Sequence, residues 1–221
     1  FIVLLVYIKL DNISSMEGLL LPIFYIVVVL YSITIHEVSH GLMANSLGDS
    51  TARDLGRLSL NPIKHLDMFG SVILPLLLYL TTGFVIGYAK PVPYNPSNLS
   101  DRKYGPAKVA ISGPISNLIL AILFGLVLRF MPDIFSSPVI PQLFKYIVAI
   151  NLFLAVFNLF PVPPLDGHWL LMTFLPSRFN AVKVFMYKYS LFLLFIFIFF
   201  IFPLLMPIIA LLFRFITGIG L

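Results

Sequence analysis

Apolar runs of about 20 residues dominate this sequence of 221 residues. Such a run matches the thickness of the hydrocarbon core of a bilayer. Hydrophobic residues make up 60% of the chain and charged residues 10%, against about 45–50% and 25% in soluble domains. So few charges cannot cover so much apolar surface, which excludes a soluble domain, a disordered chain and a nucleic-acid-binding module. We therefore expect a multi-pass membrane protein that contacts the lipid bilayer and no nucleic acid.

Six apolar segments are candidates for membrane-embedded elements, and we expect an all-α polytopic membrane protein with five to six transmembrane helices. No connection is long enough for an inserted soluble domain, so residues 1–221 are expected to form a single membrane-embedded domain. The run at residues 1–10 is expected to be the end of a truncated N-terminal helix. Pro203 divides the last two segments, which form either a hairpin or one broken segment. The segments are Leu19–Leu47, Met68–Tyr88, Ala107–Phe130, Leu143–Phe160, Val184–Phe202 and Leu204–Gly218.

The segment Met68–Tyr88 carries Pro75 and then, towards its end, Thr81, Thr82, Gly83 and Gly87, which weaken a spanning helix. If it enters the bilayer and returns on the same side, the loops 48–67, 89–108 and 161–183 share one face. These loops carry nine of the 14 Lys and Arg residues, and basic residues accumulate on the cytoplasmic side. The charges therefore favour a re-entrant, β-like segment around 68–88. Irregular backbone at membrane depth must be covered by protein or line water, so a cavity is expected beside it.

An HExxH pattern occupies residues 36–40, inside the first long apolar run. Residues four apart share a helix face, so His36 and His40 can bind one metal ion. Glu37 is then placed to take a proton from a water at that metal. The pattern alone is loose and occurs in many unrelated helices. Ionisable residues inside a membrane segment, however, are costly to place and are functional by default.

A hydrolytic zinc site needs a third protein ligand and an open position. The chain has no cysteine, so the ligands must offer nitrogen or oxygen. Asp166 is an acid set in apolar sequence, after the proline-rich stretch 158–165. Alone, it is typical of the N-cap of a following helix. Paired with HExxH and placed on the same face by the re-entrant topology, it is the better candidate for the third ligand of one Zn²⁺ per chain.

HExxH in one membrane helix and NxxPxxPLDG at residues 158–167 of a later one resemble the site-2 protease family of intramembrane zinc metalloproteases. GPISN at residues 113–117 is similar to the GPxxN element of many members. The resemblance covers about residues 19–175. The lack of a PDZ insertion makes the chain resemble the compact members. The resemblance implies that the zinc ligands are His36, His40 and Asp166, and that the catalytic acid and base is Glu37.

The resemblance further implies a multi-pass protein of the cell membrane whose active site lies in the bilayer near the cytoplasmic face. Its partners would be transmembrane protein substrates, cut within or near their membrane segments. Asn158 is implied to contact the substrate backbone, and Asn117 is a second candidate for substrate binding. From the residues alone, Asn158 could instead cap a broken helix and Asn117 could bond across helices. No residue pattern indicates an oligomeric state.

Three alternatives remain beside the protease. A membrane protease of the CAAX-processing kind would need a glutamate as its third metal ligand. The only glutamate besides Glu37 is Glu17. A metal transporter needs polar residues along the whole membrane path, whereas here they cluster at one depth. A non-catalytic scaffold that binds membrane segments is disfavoured by the intact Glu37. We also expect His65 at the surface and His168 near the site or at the interface.

Overall fold

The computed structural model describes residues 3–6, 16–82, 85–131 and 139–220. Four helices in this part of the chain are long and apolar enough to cross a membrane. A lipid-facing chain must pair its backbone polar groups internally, and an apolar run therefore folds as a helix. The helical character of the fold is confirmed, while the expectation of five to six spans stays a prediction. The four runs are Leu20–Ser46, Gly105–Phe130, Val139–Asn158 and Ser190–Thr217.

Shorter helices and two strands connect these runs. The strands are β1 (Val3–Val6) and β2 (Val85–Tyr88). The α-helices are α1 (Met16–Ser46), α2 (Thr51–Asp54), α3 (Leu74–Thr82), α4 (Gly105–Phe130), α5 (Val139–Asn158), α6 (Gly167–Phe174), α7 (Asn180–Lys188), α8 (Ser190–Ile196) and α9 (Phe202–Thr217). Wider π-helical turns occupy Met68–Ile73 and Phe197–Ile201, and short 3₁₀ turns occupy Pro62–His65, Pro96–Asn98 and Ser177–Phe179.

Helices α1, α4 and α5 pack side by side, with α4 antiparallel to the other two. The end of α1 lies beside the start of α4, where His40 bonds Val109, and Ser32 bonds Asn117 two turns away. A second layer forms where α9 packs on α4 and α5. Its centre is a group of buried aromatic side chains with ring centroids 4.7–5.6 Å apart, in the range of favourable aromatic pairs. These residues are Phe153, Phe157, Phe197 and Phe202.

The last two apolar segments form one run from Ser190 to Thr217 and not a hairpin. Pro203 is in the first turn of α9, where a missing N–H removes no helical hydrogen bond. The preceding π-helical turn, Phe197–Ile201, carries the chain from α8 into α9 without reversing it. Of the two forms expected for this region, the structure shows the single interrupted segment.

The segment Met68–Tyr88 folds back on itself. Its helical first part ends at Thr82, and β2 returns alongside it, so that the Ser71 hydroxyl donates to the Tyr88 carbonyl at 2.8 Å. Gly70 allows this approach, because a Cβ there would lie 2.3 Å from the Tyr88 ring. The expected β-like structure is therefore present only in the last four residues of the segment, Val85–Tyr88. The segment's two ends meet, as a re-entrant hairpin requires, but its position in a bilayer stays a prediction.

Strand β2 pairs with β1 in an antiparallel ladder, with Val3 opposite Tyr88 and Val6 opposite Val85. The expectation that this early stretch is the end of a helix is wrong for the residues of β1. The β-branched and aliphatic residues of β1 have high strand propensity, and β2 offers an unpaired edge for them. The rest of residues 1–10 lies outside the described residues.

The basic loops meet at one end of the bundle, where α1 ends. Ser100 N–H donates to the Leu47 carbonyl at 2.8 Å, and Lys90 N–H donates to the His65 carbonyl at 2.9 Å. The third basic loop follows α6, and the last residue of α6, Phe174, packs near Tyr104 of the second loop with ring centroids 6.0 Å apart. This gathering agrees with the sharing of one face that the charge count predicts.

Asp49 ties two of these loops to the end of α1. Its buried carboxylate accepts four hydrogen bonds of 2.6–3.3 Å, from the amide and hydroxyl of Thr51, the amide of Asn95 and the side chain of Asn98. Burial alone would raise the pKa of Asp49, but these donors together hold that pKa below its ordinary value. The carboxylate form therefore stabilises the loop that follows β2.

Candidate metal centre

His36, His40 and Asp166 come together inside the helical bundle. The Asp166 Oδ2 atom lies 2.9 Å from Nε2 of His36 and 3.3 Å from Nε2 of His40. All three residues are buried, and their potential ligand atoms lie within 4.8 Å of one another. Three ligands held 2.0–2.1 Å from a tetrahedral zinc ion lie roughly 3.3 Å apart. The spacing therefore suits one such ion.

Asp166 reaches the histidines because the chain breaks after α5. Asp166 occupies the N-cap position of α6, as the alternative reading expects, but its carboxylate makes no capping hydrogen bond there and is free to bind a metal. Gly167 allows its backbone to approach the backbone of Leu159 closely, because a Cβ at position 167 would lie 2.1 Å from the Leu159 carbonyl oxygen. The completely buried Leu165 anchors the turn. Together these contacts direct the carboxylate towards α1.

Gly113 on α4 leaves the space that an ion needs. A Cβ at this position would lie 2.5 Å from Nε2 of His36 and 2.5 Å from Nε2 of His40. Any larger residue would therefore fill the volume onto which both imidazole nitrogens converge. Two imidazoles, one carboxylate and an open cradle are the donor set of a hydrolytic zinc site. The residues present fit this metal.

The other ring nitrogens of the two histidines fix their orientation. Nδ1 of His36 lies 2.5 Å from Oδ1 of Asn117, and Nδ1 of His40 lies 2.7 Å from the Val109 carbonyl oxygen. Both partners are acceptors, so each Nδ1 carries the proton and donates it. Each Nε2 then presents its lone pair to the cradle, as a neutral histidine ligand must.

A buried polar network supports Asn117. Its Nδ2 donates to the Asn151 side chain at 2.8 Å and to the Ser32 carbonyl at 3.2 Å, while Asn151 donates to the Ser32 hydroxyl at 3.0 Å. Asn117 and Asn151 are completely buried. Sequence reasoning missed Ser32 and Asn151, although an Asn inside an apolar run was a usable signal. The substrate-binding role expected for Asn117 stays a prediction, and its described contacts are all internal.

Glu37 is held by a backbone amide from the loop after β2. The Val92 N–H donates to Oε2 of Glu37 at 2.8 Å, and Oε1 is buried without a hydrogen-bond partner among the described residues. Arg57 donates to the Lys90 and Pro91 carbonyls at 2.9 and 3.3 Å, directly before this amide. One carboxylate oxygen is therefore fixed and the other is available to accept a proton.

Asn158 and His168 flank the Asp166 turn. Asn158 is completely buried and its Nδ2 donates to the Leu154 carbonyl at 2.9 Å, while Oδ1 has no hydrogen-bond partner among the described residues. A substrate contact there stays a prediction. His168 is also buried, and its Nδ1 lies 2.5 Å from the Leu165 carbonyl oxygen. His168 stands next to the ligand group without belonging to it.

His65 is 2% exposed, so the expectation of a surface position is wrong. Its Nε2 lies 2.8 Å from the Ser59 carbonyl oxygen, and its own carbonyl accepts the Lys90 N–H. Its polar sequence neighbours suggested exposure, but the loops on both sides of the α3 hairpin close over the ring. Burial through contacts so distant along the chain leaves no local sequence signal.

Comparison of the sequence with known proteins relates this chain to metalloproteases. The model of peptidase family M50 matches residues 133–201. The chain is 39% identical over 165 residues to "Putative zinc metalloprotease YwhC" of Bacillus subtilis, covering 72% of each protein. It is 30% identical over 168 residues to "Putative zinc metalloprotease Rip2" of Mycolicibacterium smegmatis, covering 74% of this chain and 62% of that relative. No solved structure matches the chain.

Proposed function

This chain belongs to peptidase family M50 and is a zinc metalloprotease, and we propose that it cleaves peptide bonds within or next to the transmembrane segments of other membrane proteins. The observation that carries the proposal is the buried group of His36, His40 and Asp166, with Glu37 on the same helix. This group lies between long apolar helices and not in a soluble domain. This placement supports substrates that reach the group from within the membrane.

We assign His36, His40 and Asp166 as the zinc ligands. When bound, zinc supplies a Lewis acid that polarises a carbonyl and lowers the pKa of water. Asn117 and the Val109 carbonyl hold the imidazoles in the tautomer that binds metal. Gly113 keeps the approach open.

Glu37 acts as general base and then as general acid. Its Oε2 atom is held by the Val92 amide, so Oε1 accepts the proton of the attacking water and later donates it to the leaving amine. The buried site excludes bulk water, which strengthens these electrostatic interactions. Beside the Asp166 turn, Oδ1 of Asn158 has no hydrogen-bond partner in the part of the chain that the structure describes, which supports a hydrogen bond to substrate backbone.

A transmembrane substrate must unwind before its carbonyl can be attacked, because helical carbonyls are already paired. The hairpin of α3 and β2 lines a cavity together with α1, and an extended chain can add to the β1–β2 sheet by β-augmentation. The helical run Met68–Thr81 is shorter than the spans. This length supports a hairpin that enters the bilayer and returns, in a multi-pass protein of the cell membrane.

The activity is tested by purifying the full chain and a Glu37→Gln variant, and incubating each with a single-span transmembrane reporter. We expect cleavage by the wild type, none by Glu37→Gln, and equal zinc content in both. Asp166→Asn should lose zinc as well as activity. Full activity of Glu37→Gln, or unchanged zinc in Asp166→Asn, would contradict the assigned roles.

The side of the membrane is tested by cysteine labelling, since the chain has no cysteine of its own. Leu55, Asn95 and Ser177 are exposed positions in the three basic loops. Single cysteines at these positions should all react with a membrane-impermeant reagent only from the cytoplasmic side. Labelling of position 95 from outside would show that the segment Met68–Tyr88 spans the bilayer.

A further inference from the structure

A cavity of about 240 Å³ lies between α1, α5 and the chain from Pro62 to Ala89. Its walls include Val29 and Ile33 on α1, and Gly87 and Ala89 at the end of β2. None of the three zinc ligands lines it. The cavity is therefore separate from the metal centre and formed by the hairpin that would bind an extended substrate.

Two walls of the cavity contain residues that are close in sequence to Glu37 or to its hydrogen-bond partner Val92. On α1, Ile33 precedes Glu37 by four residues, which is about 6 Å along a helix. On the opposite wall, Ala89 is three residues before Val92, whose amide bonds Glu37. An extended peptide advances roughly 3.3 Å per residue. A side chain one to three residues from the scissile bond therefore lies at the mouth of the cavity.

The lining is mostly apolar and includes His65 and Tyr146, each of which carries one polar atom without a partner among the described residues. These atoms are Nδ1 of His65 and the hydroxyl of Tyr146, and both are buried. A buried polar group without a partner costs free energy, which a ligand of complementary polarity recovers. An apolar cavity of about 150 Å³ already holds a benzene molecule. The larger volume here has room for an aromatic ring and a polar group.

Resting on the proposed protease function, we propose that this cavity is a specificity subsite that accepts one aromatic side chain with a hydrogen-bonding group, Tyr or Trp, next to the scissile bond of the unwound substrate. The ring packs between α1 and the Gly87–Ala89 wall, and its polar group bonds the hydroxyl of Tyr146. A subsite of this kind discriminates strongly, because a ligand without the polar group leaves the protein's own polar atoms unpaired.

The first test measures cleavage of a transmembrane reporter in which each residue near the cut is replaced in turn by Tyr, Phe or Ala. We expect kcat/KM to be about tenfold higher for Tyr than for Phe at one reporter position. Tyr146→Phe should remove this preference without unfolding the protein, because the lost hydroxyl makes no hydrogen bond within the described part of the chain. Ala89→Leu should reduce cleavage of both aromatic reporters, while Ala181→Leu, at an exposed site on α7, should change nothing.

The second test measures binding without cleavage. In the Glu37→Gln background and with copper phenanthroline and dissolved oxygen as the oxidant, Ala89→Cys should form a disulfide with a reporter carrying one cysteine at the preferred position, and Ala181→Cys should not. Cross-linking with no cleavage by the wild type would support the subsite and overturn the protease proposal. Cleavage with no preference that depends on Tyr146, or with equal cross-linking at both cysteines, would overturn the subsite.

Discussion

The backbone N–H of Val92 lies 2.8 Å from Oε2 of Glu37, and both residues are buried. A carboxylate that accepts a backbone hydrogen bond is held in one orientation. Arg57 bonds the carbonyls of Lys90 and Pro91, directly before this amide. The loop that contains Arg57 therefore sets the position of the group that orients the proposed base.

Removing this amide should slow the reaction without releasing zinc. Val92→Pro deletes the N–H in a stretch already flanked by Pro91 and Pro93. A hydrogen bond to a charged group contributes about 1.5–3 kcal/mol, so we expect kcat to fall roughly 10- to 100-fold. Val92→Ile keeps the donor and serves as the control. Kinetics and zinc content of both variants check the prediction, and an unchanged kcat in Val92→Pro would refute it.

A methyl group at Gly113 should exclude the metal. The Cβ of Gly113→Ala would lie 2.5 Å from Nε2 of both histidines, so we expect a folded protein with little zinc and no activity. Gly220→Ala is a matched control, because a Cβ there meets no atom within 4 Å. Elemental analysis of both purified variants measures the effect. Full zinc occupancy in Gly113→Ala would place the ion elsewhere.

Asn117 should control zinc affinity through His36. Asn117→Leu removes the acceptor for Nδ1 of His36, and loss of such a partner weakens metal binding about 10- to 100-fold. Asn117→Asp keeps an acceptor and should bind zinc more tightly than the Leu variant. Competition with a chelator measures both affinities. If Asn117 binds substrate instead, KM will rise while zinc affinity stays the same.

Asp49 should make stability depend on pH. Its pKa in the folded protein is below the ordinary value, so its contribution is complete above the unfolded pKa of about 3.9. That contribution is lost as the pH falls through the lower, folded pKa. In detergent, Asp49→Asn should lower the apparent Tm at pH 7 and flatten its decline below about pH 4. The Ser50 hydroxyl also holds the pKa of Asp54 below its ordinary value, but this carboxylate is exposed and screened by solvent, so Asp54→Asn should change the curve much less than Asp49→Asn.

Sequence reasoning located the residues that come together because their chemistry is unusual in a membrane. His36, His40 and Asp166 stand out against apolar neighbours, and the structure joins them although Asp166 is 130 positions from His36. Val92 gave no such signal, since it acts through a backbone amide that every residue but proline has. Gly113 was noticed as part of a motif, but its role depends on contact with another helix.

The parts of the fold that were left open or predicted wrongly have equally physical causes. Pro203 left a hairpin and one broken segment both open, because its effect depends on its place within a helical turn and not on its presence. His65 suggested a surface loop, yet contacts with the loop after β2 bury it. Both outcomes are decided by tertiary packing, which a single sequence does not display.

The large distance in sequence between the proposed zinc ligands affects when the site can form during biosynthesis. His36 and His40 leave the ribosome together, but the carboxylate of Asp166 follows 130 positions after His36. At a typical elongation rate this interval is on the order of 10 s. Until then α1 carries only two histidines, and the Asn117 and Asn151 partners arrive in turn with α4 and α5. The nascent chain therefore lacks a complete metal centre until three of the four long apolar runs that the structure describes have been synthesised, so it is inactive while those three helices enter the membrane.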